Sequence, residues 1–139
     1  MKAGALRPGV LLLGLLLLGC GPATPASAGQ ASCQQVKPTG VARVSLTIAP
    51  CPARAGRETI VVKVLDGSGQ PEAAAGSGSI RYSMVGMDMP GLPKDVSLSN
   101  GDGGLKTSLP LGMSGSWLLR VRVDQGGGPL TADFQINVQ

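Results

Sequence analysis

An all-β chain of short antiparallel strands is predicted here by three observations. Seven segments between Val41 and Val138 carry strand patterns at roughly ten-residue spacing. Glycine-rich and proline-rich clusters punctuate them, with Gly 22 and Pro 11 in 139 residues. No segment beyond the N-terminal leader has helical periodicity over three turns. Short strands with regular turn signals point to an immunoglobulin-like antiparallel β-sandwich of about seven strands. The Cys-Trp-Cys spacing of a true immunoglobulin domain is missing.

The first strand is expected over Val41 to Ala49, where Ala42, Val44, Leu46 and Ile48 alternate with Arg43, Ser45 and Thr47. Pro50-Cys-Pro52 ends it. Thr59 to Leu65 forms the second, closed by the turn signal Asp66-Gly-Ser-Gly69. Ser79 to Val85 is the third, with Ile80, Tyr82 and Met84 on one face, after a small-residue connector over Ala73 to Gly78. Asp95 to Ser99 and Leu105 to Leu111 flank Asn100-Gly-Asp-Gly-Gly104, the strongest hairpin turn in the chain. Trp117, Leu119, Val121 and Val123 mark the inward face of the next strand. After Gln125-Gly-Gly-Gly-Pro129, the last strand is the most regular, with Leu130, Ala132, Phe134, Ile136 and Val138 alternating with polar residues. One Trp, one Tyr and one Phe must share a core otherwise made of aliphatic side chains.

Before residue 41 the chain reads differently. Lys2 and Arg7 form a basic n-region and Val10 to Leu18 an apolar h-region, too short to span a membrane. Leu17-Leu-Gly-Cys20 follows at once and resembles the bacterial lipobox, in which the cysteine is lipidated. Residues 1–19 are therefore read as a lipoprotein signal peptide and Cys20 as the lipid attachment point. Cleavage after Ala26-Ser-Ala28 is the competing reading. Residues 20–40 hold hardly a large apolar side chain and are expected to be a flexible tether, with the domain over 41–139.

If Cys20 carries lipid, Cys33 and Cys51 remain as an even pair in an exported protein, which reads as a disulfide. A two-thiolate metal site is the alternative, disfavoured outside the cytoplasm and by a spacing that is not C-x-x-C. Loss of Lys2 and Arg7 leaves ten basic and eight acidic residues, a balance of +2. No basic run is interleaved with aromatics, so nucleic acid is not an expected partner.

Catalysis is not expected either. There is no histidine, which removes the commonest general base and the Ser-His and Cys-His nucleophile arrangements. Asp66, Asp102 and Asp124 lie beside or near glycines, as turn residues do, and Asp88 and Asp95 are too isolated to suggest a carboxylate pair. The glycine-rich stretches match no phosphate-binding fingerprint.

Soft donors are what the chain does concentrate. Met84-Val-Gly-Met-Asp-Met-Pro-Gly-Leu-Pro93 holds three methionines, and Leu111-Gly-Met-Ser-Gly-Ser-Trp117 supplies Met113. Thioethers suit Cu(I) and stay available where thiols are oxidised. Met84 reads equally as a core residue of its strand. Met87 and Met89 sit among Gly86, Asp88, Pro90, Gly91 and Pro93, a loop composition that invites either ligation or contact with a partner. Two apart, Met87 and Met89 are expected to share a face. Met84, of opposite parity, joins them only if Gly86 bulges the strand.

With these pieces in place, the chain from about Val41 to Val138 resembles the YtkA-like domain family, with kinship to FixH-type proteins. The resemblance is carried by Val61-Val-Lys-Val-Leu-Asp-Gly-Ser-Gly69, Met84-Val-Gly-Met-Asp-Met-Pro90 and the Met-x-Gly-x-Trp run ending at Trp117. It implies an immunoglobulin-like extracytoplasmic domain, often membrane-attached, associated with copper handling and delivery toward respiratory oxidases. Met84, Met87, Met89 and Met113 match its methionine positions. Leu92 stands where a further methionine could follow. The expected function is a lipid-anchored Cu(I)-binding module on the periplasmic or cell-surface side, held to membrane lipid through Cys20, with a copper-transport or oxidase-assembly protein as partner. The alternative is a structural or interaction domain that uses the methionine loop as a contact surface.

Overall fold

The computed structural model describes residues 32–72, 76–101 and 103–139, so the expected signal peptide, Cys20 and residues 20–31 of the tether lie outside the described residues. Eight antiparallel strands and no helix are present among those described: β1 (Cys33–Thr39), β2 (Ala42–Ala49), β3 (Gly56–Leu65), β4 (Ser77–Met84), β5 (Lys94–Gly101), β6 (Gly104–Leu111), β7 (Gly115–Gln125) and β8 (Gly128–Val138). They form one nearly closed sheet in the order β1-β2-β3-β6-β5-β4-β7-β8.

The seven expected strands are all present, most of them a residue or more longer than their apolar pattern. An eighth, β1, takes the second half of the expected tether. Its sequence, Cys-Gln-Gln-Val-Lys-Pro-Thr, has no apolar face of its own. It becomes a strand by pairing with β2 from Cys33↔Ile48 to Thr39↔Ala42. Pro38 is tolerated because β1 is a terminal strand of the sheet, where a missing N–H need not break a central ladder. Gln34 Nε2 donates to Ser45 Oγ at 2.7 Å, and Ser45, on the otherwise polar face of β2, is buried. The Cys33 and Cys51 sulfurs are joined, with Cα atoms 5.3 Å apart, which fastens the start of β1 to the loop after β2.

Alternation places the core as expected. Val44, Leu46 and Ile48 of β2, Ile60, Val62 and Val64 of β3, and Trp117, Leu119, Val121 and Val123 of β7 are buried, with Phe134 and Ile136 from β8. Burial of each large apolar side chain contributes about 1.5–3 kcal/mol. Gly101↔Gly104 closes the β5–β6 hairpin and Gln125↔Gly128 the β7–β8 hairpin, both at the predicted glycine clusters.

Two features bring the sheet near closure. Strand β5 changes neighbours along its length, pairing with β4 from Lys94 to Leu98 and with β6 from Ser99 to Gly101. At the opposite seam Gln35 Nε2 of β1 donates to the Gln135 carbonyl of β8 at 3.1 Å. The chain end is tied in as well: Ala55 N–H donates to the Gln139 carbonyl at 2.8 Å, and Gln139 N–H to the Ala53 carbonyl at 2.9 Å.

Candidate metal centre

The antiparallel pairing of β4 with β7 decides where the methionines meet. Its register runs from Ser77↔Asp124 to Met84↔Trp117, so the end of β4 lies beside the start of β7. The Met84–Pro93 loop leaves β4 there, and the Gly112–Ser114 connection carrying Met113 enters β7 there. Val85 N–H donates to the Ser116 carbonyl at 2.8 Å and extends the pairing into the loop. Residues nearly thirty positions apart in sequence thus share one end of the sheet.

Within the loop the backbone follows its turn chemistry. Leu92 N–H donates to the Met89 carbonyl at 3.0 Å, with Pro90 and Gly91 between and Gly91 at φ +82°. Proline followed by a positive-φ glycine is the arrangement a type II turn requires. Met87, Asp88 and Met89 precede it without regular strand pairing. The alternation that would put Met87 and Met89 on one face therefore does not operate. Met87 is 50% exposed, whereas Met89 is half-buried and packs against the core.

Met84 is also half-buried and packs on the core, inward like its cross-strand partner Trp117. Its methyl group lies against Gly115. Met113 is 38% exposed, and its carbonyl accepts a hydrogen bond of 3.0 Å from Trp117 Nε1. The four methionines thus divide into a half-buried pair, Met84 and Met89, and an exposed pair, Met87 and Met113, at the same end. Val85, 50% exposed, adds an apolar side chain to that surface.

The donor set available here is sulfur. Among the described residues no group of three or more His, Cys, Asp or Glu side chains is placed to hold a metal ion. Asp88 is exposed in the loop, with no second carboxylate beside it in sequence until Asp95. Uncharged thioethers, with a single carboxylate in their loop and no imidazole in the chain, fit a soft monovalent cation, not a hard divalent one.

Glu58 was not singled out by sequence, although it shares the inward parity of Ile60, Val62 and Val64 on β3. It is only 2% exposed. Its Oε1 accepts the Arg54 backbone N–H at 2.9 Å, while Oε2 has no partner. Glu58 lies opposite Leu109, two residues from the Gly56↔Leu111 pair after which the Met113 connection begins.

No protein-family model, curated protein or solved structure matches this chain.

Proposed function

We propose that this chain is an extracytoplasmic, lipid-anchored module that binds Cu(I) through the thioethers of Met87, Met89 and Met113, with Met84 beside them. It acts as a carrier or buffer in copper handling, since Asp88 is the one ionisable side chain of the Met84–Pro93 loop and has no second acid or base beside it in that loop. The observation that carries this reading is the β4–β7 register, which delivers the Met84–Met89 loop and Met113 to one end of the sheet. Soft donors gathered from two separate segments are what a thioether site needs.

An immunoglobulin-like sandwich of YtkA-like type is the proposed scaffold. With β2 to β8 lettered A to G, the order β2-β3-β6-β5 is A-B-E-D and β4-β7-β8 is C-F-G, the constant-type immunoglobulin order. Strand β5, paired to both neighbours, would then mark the crossing between two layers. The lipobox reading of Leu17 to Cys20 supplies the membrane anchor, and the family resemblance supplies a copper-transport or oxidase-assembly partner.

A second reading is favoured by one observation: Val85 is exposed beside Met87 and Met113. An adaptable apolar surface of this kind also suits a protein contact. Titration with Ag(I) as a redox-inert stand-in separates the two, using the full chain with Cys20→Ser so that no free thiol competes. One ion per chain is expected, lost in Met87→Leu/Met89→Leu. Affinity should change little between neutral pH and about pH 4, because a thioether has no proton to gain. Absence of binding in the unsubstituted methionine background would leave the contact surface as the better account.

A further inference from the structure

We propose that Trp117 is a positioning residue for the thioether site, acting through the hydrogen bond from its indole N–H to the Met113 carbonyl. The inference rests on the Cu(I) reading above and adds the device that orders one arm of the site.

Donor and acceptor belong to different parts of the molecule. Trp117 is 1% exposed, packs with its ring centroid 6.1 Å from that of Tyr82, and stands opposite Met84 in the β4–β7 ladder. It is part of the rigid core. Met113 belongs to a short exposed connection between β6 and β7, with Gly112 before it and Gly115 two residues after it, the latter at φ +136°. Glycines restrain their backbone weakly, and nothing in residues 112–114 is paired into the sheet. The indole N–H, 3.0 Å from the Met113 carbonyl, is the side-chain bond that fixes this connection to the core.

The geometry meets two needs with one bond. A buried indole N–H requires an acceptor, and indole offers only that one donor. The acceptor chosen is the backbone of a proposed ligand, not a carbonyl of the surrounding strands. Binding a metal through Met113 requires its backbone and side chain to be ordered. Fixing the backbone of one residue in advance removes a penalty equivalent to roughly tenfold in affinity. On the other side of the site, Met84 lies against Gly115, the first residue of β7, so both arms are referred to the Trp117 end of β7.

The test replaces the donor without changing the ring's shape. In the full chain with Cys20→Ser, Trp117 is exchanged for β-(3-benzothienyl)alanine, which carries sulfur where indole carries N–H. Urea unfolding and Ag(I) titration are run side by side with the unexchanged protein. The expected result is one Ag(I) per chain in both, with affinity weakened about tenfold by the exchange and the β-sheet spectrum intact. Linkage provides a second readout that needs no variant. If the hydrogen bond and the metal favour the same arrangement, Ag(I) must slow hydrogen exchange at the Trp117 indole N–H by a comparable factor.

Equal Ag(I) affinity in the two proteins, or indole exchange unchanged by saturating Ag(I), overturns the positioning role and leaves the thioether site standing. Failure of the unexchanged protein to bind Ag(I) overturns both. Trp117→Phe serves as a control for packing. It loses the same bond together with core volume, so an affinity loss matching the benzothienyl protein, beside a larger drop in urea midpoint, separates the bond from the packing.

Discussion

The methyl carbon of Met84 lies 2.5 Å from the point where a Cβ on Gly115 would stand. No side chain at residue 115 can coexist with that rotamer of Met84. Gly115 also has φ +136°, a backbone region that L side chains rarely adopt. The missing side chain therefore admits the Met84 methyl to the start of β7.

Gly115→Ala is expected to destabilise the protein by about 1–3 kcal/mol, the sum of backbone strain and displacement of a flexible side-chain end. Urea unfolding of Gly115→Ala, Met84→Ala and the double variant measures the pair as a cycle. Removal of the colliding methyl should return part of the loss but not the part due to φ. A Gly115→Ala protein as stable as its parent would show that the connection readily rearranges.

Reduction of Cys33–Cys51 should lower stability by about 3 kcal/mol, given a separation of 18 residues. The effect should fall first on β1, whose inward contribution is small and whose other attachments include the β2 ladder, the Gln34 bond to Ser45 and the Gln35 bond to β8. Hydrogen exchange over residues 33–39, compared with exchange in β7, is the measurement. Uniform acceleration through both strands would mean that β1 is integral to global folding.

Burial of Glu58 leaves one oxygen bonded to the Arg54 N–H and the other without a partner. Glu58→Gln retains an oxygen to accept the Arg54 N–H and nearly the same volume, so its stability should stay close to the parent's. Glu58→Ala leaves a cavity and an unsatisfied turn, and should lose about 2–3 kcal/mol. Denaturant midpoints of the two variants decide this, and a Gln variant weaker than Ala would contradict it.

Acid sensitivity should come in part from two carboxylates. Asp66 is held below its ordinary value chiefly by the Ser68 hydroxyl, 2.6 Å away, and next by the Gln70 N–H, within the turn after β3. Asp133 is lowered chiefly by the two-pronged bond from Arg120, 2.8 Å at each oxygen. A folded-state value below the unfolded one gives stability that is present above about pH 3.8 and is lost as pH falls through the folded value. Asp66→Asn and Asp133→Asn should each flatten the acid limb of the stability profile. NMR titration of either carboxyl with a midpoint at or above 3.8 would contradict the assignment.

How much was legible follows from the range of each signal. Strands β7 and β8 could be read directly, because alternation such as Phe134, Ile136 and Val138 records a strand with one face buried and one wet. Hairpin turns at Gly101–Gly104 and Gln125–Gly128 were equally local, since glycine's backbone freedom needs no partner to express itself. The methionines were visible as a composition, and Met84 as a residue of the inward face. Strand β1 left no such trace. Val36 is its only large aliphatic side chain, and its strand state comes from backbone hydrogen bonds to β2 and the link at Cys33, which alternation cannot report. The exposure difference between Met87 and Met89 falls outside the strands, in residues 87–89 ahead of the turn closed by the Met89 carbonyl and Leu92 N–H, where period-two reasoning ends. By itself the sequence determined seven of the eight strands and which donors are present. Only the tertiary structure decided that Met84 stands opposite Trp117 and that Met113 hangs from its indole, because register is fixed by pairing between distant segments.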